Sequence, residues 1–368
     1  MRLLVDLHCF DAKTIEGINS YIKGLYSNLI PIAPDITFFL VAADINKIKS
    51  IFGEYKNVIY IPLMSKNKIY RLLFEFPAII KKYEIDAAHY QYTSPLIKNC
   101  KNIITLHDIL FVDYPEMFPW SYRIVKSVLF KLSAKRADLL LTVSDYSKRQ
   151  ISKHYNISPN SIYVTPNAVS DDFYNIDHEV AKSFVRQQGV EKYILYVSRI
   201  EPRKNQIALL ETYCDQKLWE ENYDIVFIGR RTLATPNFDE YINQLPIEVK
   251  DHIHIYNQVD YSELKYWYKA ASLFVYPAIA EGFGIPPIEA GAAAVPTICC
   301  NKTAMGDFTF FGSNLIDVTD KKLLGVTIKN NIHNLNAVNT AYISAQIHSK
   351  YNWKNIASNF YDLLNNLK

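Results

Sequence analysis

Short apolar and β-branched runs recur along the whole chain, separated by stretches whose apolar residues return every three or four positions. The runs 3–8, 37–42, 58–61, 87–90, 103–106, 139–143 and 162–164 read as strands, and the series restarts at 193–197, 225–228, 253–256, 273–276 and 297–299. Runs this short and this apolar, set between helical patterns, predict parallel strands buried on both faces by helices. The restart follows the acidic stretch 170–190. It predicts an α/β protein of two Rossmann-like units joined by a linker near residues 168–192. Ligands of such sheets bind where strands end and helices begin, so the chemistry is expected in a cleft between the two units.

A chain of 368 residues, 49% of them hydrophobic, is long enough for two such cores. The five cysteines include no Cys-x2-Cys pair, which points to a reduced, cytoplasmic setting rather than to zinc or disulfides. The apolar run after Met1 is too short for a secretory signal, and no uncharged stretch reaches the length of a membrane span. The expectation is a protein that is neither exported nor membrane-spanning.

The net charge of +3 changes meaning once it is divided. Residues 1–168 carry 21 Lys+Arg against 14 Asp+Glu, a balance of +7, and the rest of the chain is at −4. Much of the excess lies between Trp120 and Lys153, where Ile124, Val125, Val128, Leu129 and Leu132 recur among Arg123, Lys126, Lys131 and Lys135. That spacing predicts an amphipathic basic helix. A second stretch, 66–82, holds Ile69, Leu72, Leu73 and Phe76. Two readings stand: a solvated face over a core, or a surface that leans on anionic lipid headgroups or a lipid-diphosphate. Nucleic acid is not favoured, because the aromatics sit in apolar strands rather than among the basic residues.

Candidate chemistry gathers at strand ends. The run Leu273–Pro277 leads into Glu281-Gly-Phe-Gly-Ile-Pro-Pro-Ile-Glu289, where a strand breaks at glycines and restarts as a helix. Such a turn aims backbone N–H groups and the positive end of a helix dipole at one point, which suits a phosphate. Glu281 precedes the turn and Glu289 follows about two helical turns later, within reach of hydroxyls. This is a sugar-nucleotide arrangement. Arg199, Arg203 and Lys204 follow the run 193–197 and can neutralise a diphosphate that gains charge as a glycosidic bond breaks. Gly17 starts a helix after the first strand, where a bare N–H can approach a diphosphate. His107 ends the run 103–106, and Asp108 beside it is expected to cap the loop that follows.

The Glu-x7-Glu spacing of 281–289, followed by Ala-Gly-Ala-Ala-Ala-Val-Pro, closely resembles the signature of the retaining GT-B glycosyltransferases of family 4, the bacterial polysaccharide type. Residues 16–21, 105–119, 199–205, 227–230, 258–264 and 351–357 resemble the same family, so the likeness runs over essentially the whole chain. It implies an acceptor-binding domain at 1–168, a donor-binding domain at 169–350 and a C-terminal helix, 351–368, packing back on the first domain. His107, Arg203, Lys204 and Glu281 are the catalytic residues it implies. Gly17, Arg199, Gly229, Val259, Phe283, Gly284, Ile285 and Glu289 are its donor-binding residues, with Arg199 and Arg203 competing for one diphosphate contact. Glu281 would hold the donor sugar and Glu289 the ribose.

The family commonly has Thr-Gly-Ile-Gly-Arg-Tyr where this chain has Glu16-Gly-Ile-Asn-Ser-Tyr, and Pro-Glu where it has Gly306-Asp307. With no Asp-x-Asp in the chain, no metal or other cofactor is implied. The resemblance implies front-face retention, in which the departing phosphate accepts the acceptor's proton. The Glu-Pro-Arg-Lys-Asn subgroup points first to GDP-mannose as donor and to a saccharide or lipid-linked acceptor of surface polysaccharide synthesis such as O-antigen. Other nucleotide-sugar donors, an epimerase or hydrolase on the same fold, and a silent assembly partner remain open alternatives.

Overall fold

In the computed structural model, which describes residues 1–11, 17–231, 233–334 and 339–367, the sequence runs read as strands do form strands. They build two units, Met1–Ala168 with Tyr351–Lys368, and Val169–Lys350.

The first unit holds β1 (Arg2–Asp6), β2 (Thr37–Ala42), β3 (Val58–Pro62), β4 (Ala87–Gln91), β5 (Lys101–Thr105), β6 (Leu139–Thr142) and β7 (Ile162–Val164). They pair in the parallel order β3-β2-β1-β4-β5-β6-β7, with Val5 in register with Leu40 and His89. β1 stops at Asp6 rather than His8, because the Asp6 carboxylate accepts from the His8 amide at 3.1 Å and turns the chain. Helix α1 (Gly17–Ile32) packs on the C-terminal helix, Trp353–Leu367. The approach is close enough that a Cβ on Gly24 would meet Trp353 at 2.1 Å. Ile356, Phe360 and Leu364 bury one face of the C-terminal helix, at the spacing its pattern predicts.

Helix α2 (Trp120–Lys135) is the predicted basic helix, but most of its aliphatic set faces outward, with Leu129 alone of that set packed against the core. Only Phe130, Ser133 and Ala134 are buried, while Ile124, Val125 and Val128, whose spacing suggests a core face, are exposed.

The second unit holds β8 (Tyr193–Val197), β9 (Asp224–Ile228), β10 (Ile253–Tyr256), β11 (Leu273–Tyr276), β12 (Thr297–Cys300) and β13 (Leu315–Ile316), parallel in the order β10-β9-β8-β11-β12-β13. β13 went unread because two residues show no period. The stretch expected as linker contains helix α3 (His178–Gln187). Asp177 caps it by accepting from the Val180 amide at 2.9 Å, and Ala181 and Val185 bury one face. Helices α4 (Gln206–Asp215), α5 (Tyr261–Ala270), α6 (Ile285–Ala292) and α7 (Thr340–Lys350) follow. α6 and α7 pack closely, since a Cβ on Gly291 would meet Ile347 at 2.5 Å.

Candidate active site

The second unit gathers its charged candidates at the carboxyl ends of the neighbouring strands β8 and β11. A turn at Pro202–Lys204 follows β8, and its backbone is stitched to the loop after β11 by the Ile279 amide, which donates to Arg203 O at 3.0 Å. Glu281 is the centre. Its Oε1 takes the Lys204 ammonium and the Tyr276 hydroxyl, the latter at 2.8 Å, and its Oε2 lies 3.1 Å from the Arg203 guanidinium. The Glu281 amide donates to Thr303 Oγ1 at 3.1 Å. Burial alone would raise the Glu281 pKa, but Lys204 and Arg203 outweigh it and hold the carboxyl at about 2. Burial lowers Lys204 to about 8 against the pull of Glu281, so the pair is ionised at neutral pH.

Arg203 is tied further, to Ala280 O at 2.9 Å and to Glu201 at 2.8 Å. Arg199 stands 3.6 Å from the same Glu201 with 45% of its side chain exposed. Arg203 is thus packed into the Glu281 cluster, and Arg199 sits at its rim. Arg199, Arg203 and Lys204 meet Glu201 and Glu281 in one cluster.

Gly284 lies at φ +102°, and a Cβ there would meet Met305 at 2.9 Å, so only glycine fits the turn that starts α6. Pro286 and Pro287 occupy the first turn of α6. They carry no N–H, so the helix start has fewer donors than the bare sequence turn suggests, and Gly284 and Ile285 are left to provide them. Phe283 packs edge-on against Phe308, ring centres 5.6 Å apart. Glu289 is buried, with the Tyr268 hydroxyl donating to Oε2 at 2.9 Å, and burial pushes its carboxyl up to about 7. Gly229, after β9, runs so close to Ser198 that a Cβ would sit 1.8 Å from its carbonyl oxygen. Arg230 beside it donates from Nε to Gln258 Oε1 at 3.1 Å. Val259 lines a cavity of about 350 Å³ with Phe184, Tyr256, Asp260 and Trp267.

The first unit carries the other two candidates. Gly17 is the first residue of α1, and Glu16 falls outside the described residues. His107 is 7% exposed and lies between the rings of Tyr21 and Tyr92, centres 5.0 and 5.3 Å away. Burial drops its pKa to about 3, so the ring is neutral. Nε2 is 2.7 Å from Gln91 Oε1, an acceptor, which places the ring proton on Nε2 and leaves Nδ1 as a lone pair. Gln91 Nε2 in turn meets His89 Nε2 at 3.2 Å, and His89 Nδ1 meets Tyr26 Oη at 2.7 Å. Asp108 accepts from the Leu110 amide at 3.1 Å, as its capping role requires.

Tyr276, Thr303, Glu201, Gln91 and His89 went unnoticed as site residues in the sequence. Glu201 is two residues from Arg199 and Arg203 and Tyr276 five before Glu281, so both lay within local reach, whereas Thr303 is 22 residues from Glu281 and no motif spacing marks it. Gln91 and His89 alternate on β4, and a polar residue at every second position of a buried strand was the available signal.

Among the described residues no group of three His, Cys, Asp or Glu is placed to hold a metal ion, and no helix is long and apolar enough to cross a membrane.

Two units, each a parallel sheet wrapped by helices with candidate residues just past the carboxyl ends of strands, have the GT-B architecture. The family model described as Glycosyltransferase Family 4 matches residues 39–173, and that described as Glycosyl transferases group 1 matches residues 179–312. The chain belongs to the family 4, group 1 glycosyltransferases. It is 31% identical over 239 residues to the O-antigen chain mannosyltransferase RfbU of Salmonella typhimurium, covering 65% of this chain and 62% of that one. It is 29% identical over 273 residues to the O-antigen chain mannosyltransferase B of Escherichia coli, covering 71% and 70%. The match thus spans less than two-thirds of the first of these relatives. Sucrose-phosphate synthase from Thermosynechococcus elongatus shares the fold, with a TM-score of 0.78 at 17% identity over 100% of this chain and 98% of the other.

Proposed function

We propose that this protein transfers a hexose, mannose from GDP-mannose in the first instance, to a saccharide acceptor that is lipid-linked, in the synthesis of a bacterial surface polysaccharide such as O-antigen. The transfer retains configuration and uses no divalent metal. The observation that carries this reading is the cluster Arg199–Glu201–Arg203–Lys204–Glu281, which gathers three cationic side chains at neighbouring strand ends. A nucleotide diphosphate is the ligand class that such a cluster, beside a glycine turn at a helix start, is suited to receive. The names of the O-antigen relatives support mannose and the polysaccharide setting.

Lys204 and Arg203 would turn from Glu281 toward the diphosphate and stabilise the charge that grows as the glycosidic bond breaks. Glu281, ionised, would accept from donor sugar hydroxyls, and Glu289 from the ribose. Phe283, Gly284 and Ile285 would shape the phosphate pocket, with Arg199 as a second arm from the rim. Gly229 and Val259 would hold the base through backbone groups, and Gly17 would offer its N–H to the diphosphate. On the first unit, His107 would present Nδ1 to a hydroxyl of the acceptor saccharide. Work at the cytoplasmic face of a membrane follows from a lipid-linked acceptor.

The test is nucleotide release from GDP-mannose, UDP-glucose and dTDP-rhamnose, with and without lipid-linked saccharide. Acceptor-dependent release from GDP-mannose that persists in EDTA is the expected result. Release without acceptor, or a strict need for metal, would overturn it.

A further inference from the structure

Helix α2 carries its apolar side outward. Trp120, Ile124, Val125, Val128 and Leu132 are 73, 59, 54, 63 and 38% exposed, and their spacing puts them on one stripe along a helix of 16 residues, about 24 Å long. Single exposed apolar residues are ordinary, but a continuous stripe marks a surface that something covers. A neighbouring segment extends it. Residues 68–82 run as one helical stretch with a π turn at Arg71–Glu75. There the Phe76 amide reaches Arg71 O, because Pro77 has no N–H to continue the ordinary ladder. On this segment and just before it, Met64, Ile69, Tyr70 and Phe74 are 86, 68, 52 and 59% exposed. Phe76 of this segment and Phe130 of α2 share one hydrophobic cluster, with Leu72 and Leu129 packed against it, and Lys68 feels the charge of Lys126, so the two surfaces adjoin.

The charge around the stripe decides what covers it. α2 contains no Asp or Glu, and it carries Arg123, Lys126, Lys131 and Lys135. Lys66 and Lys68 stand on the adjoining segment, where Arg71 is buried and adds nothing to the surface. A second copy of this chain would set like charges against each other across the contact. An anionic surface complements them, and long cationic side chains beside an apolar stripe can let that stripe sink while their ammonium ends stay among headgroups. Trp and Tyr near such a boundary suit the same depth.

We propose that α2 and residues 64–74 form a membrane-docking face that lies flat in an anionic bilayer surface, with Trp120, Ile124 and Val128 inserted below the headgroups. The face deepens the reading of a lipid-linked acceptor and rests on it for its purpose, but docking can be measured without any transfer.

The full chain is spun down with vesicles of phosphatidylcholine alone and of phosphatidylcholine with phosphatidylglycerol, and the emission of Trp120 is followed with bromine-labelled lipids. Wild type is expected to bind the anionic vesicles, with quenching that Trp120→Phe removes. Ile124→Ser with Val128→Ser should weaken vesicle binding at least about tenfold at low salt, since burial of apolar area is lost while every charge remains. GDP binding should be unchanged in that variant. Lys131→Gln with Lys135→Gln should weaken binding too, and leave the remainder less sensitive to salt than wild type. Wild type that ignores anionic vesicles, a serine pair that binds as well as wild type, or light scattering that shows a dimer dissolved by the serine pair would each overturn the proposal. Vesicle binding as expected, with no transfer to any lipid-linked saccharide, would uphold the docking face and defeat the acceptor assignment instead.

Discussion

His107 in the first unit and Glu281 in the second are almost equally buried, at 7 and 8% exposed, and both follow the carboxyl end of a parallel strand. Their surroundings are of opposite kinds. His107 belongs to a neutral chain, Gln91–His89–Tyr26, in which every link is a hydrogen bond between uncharged groups. Glu281 belongs to a cluster of formal charges, each opposed by another. A neutral chain fixes which nitrogen carries a proton and suits hydroxyl recognition. A buried ion cluster has already met the desolvation cost of its charges, so an incoming diphosphate can exchange with a carboxylate as counterion rather than bring bare charge into a dry site. One fold thus supplies two recognition chemistries at equivalent strand ends.

The largest effect is expected where charge is removed. Lys204→Ala should lower transfer by about 10²-fold or more, the scale of losing an oxyanion donor, with the fold kept by the remaining Arg203–Glu281 contact. Turnover within a few-fold of wild type, with circular dichroism unchanged, would break the contrast at its charged end.

Next comes Glu289, whose raised pKa makes stability depend on pH. Unfolded, the carboxyl titrates near 4.5; folded, near 7. Between those values the folded state holds a proton that the unfolded state has lost, so this contribution is present below about 4.5 and is lost as pH rises through 7. The full swing is on the order of 3 kcal/mol. Glu281, held at about 2, behaves oppositely, its contribution being lost as pH falls from 4.5 through 2. Glu289→Gln should therefore flatten the fall of melting temperature between about pH 4.5 and 7, the window between the two pKa values. If ribose hydroxyls need the ionised carboxylate, GDP binding by wild type should release a proton at pH 6.5, read by titration calorimetry in two buffers of different ionisation heat. An unaltered pH profile in the variant would show that Glu289 is not held protonated.

Gln91→Leu tests the neutral end. It removes the acceptor that fixes the His107 proton on Nε2, and about tenfold loss in acceptor kcat/KM is expected, near 1.4 kcal/mol. GDP binding should not change, and Gln91→Glu should restore the acceptor. A loss of donor binding in Gln91→Leu would mean that the chain supports packing rather than His107.

The smallest effect is expected at Thr303→Ala, which leaves the Glu281 amide without its Oγ1 partner and costs about 1 kcal/mol in transfer. Thr303→Ser should keep wild-type turnover, which sets the hydroxyl apart from the backbone strain of a threonine at φ +56°.

Much of this protein follows from the order of its residues. Period and restart were enough for two parallel sheets, because a strand buried on both faces has to be apolar throughout. Glycines marked the tight turns, because Gly284 has a positive φ and Gly229 abuts a backbone carbonyl, and neither position accepts a Cβ. The run Arg203-Lys204 and the Glu281–Glu289 spacing were legible for a similar reason, since each is local to one turn. What tertiary structure decided is which of these groups meet. Lys204 and Glu281 are 77 residues apart in sequence, and Gln91 and His107 are 16 apart. Each pair is joined because parallel neighbours bring their carboxyl ends to the same edge, a fact of strand order that no local spacing records. The direction of α2 is the sharper case. Helical periodicity shows that one face is apolar, but not whether that face looks to the core, and here Phe130, Ser133 and Ala134 hold the inner side while the aliphatic stripe faces out. Amphipathicity is a property of the helix alone, whereas its orientation depends on what the rest of the fold leaves uncovered.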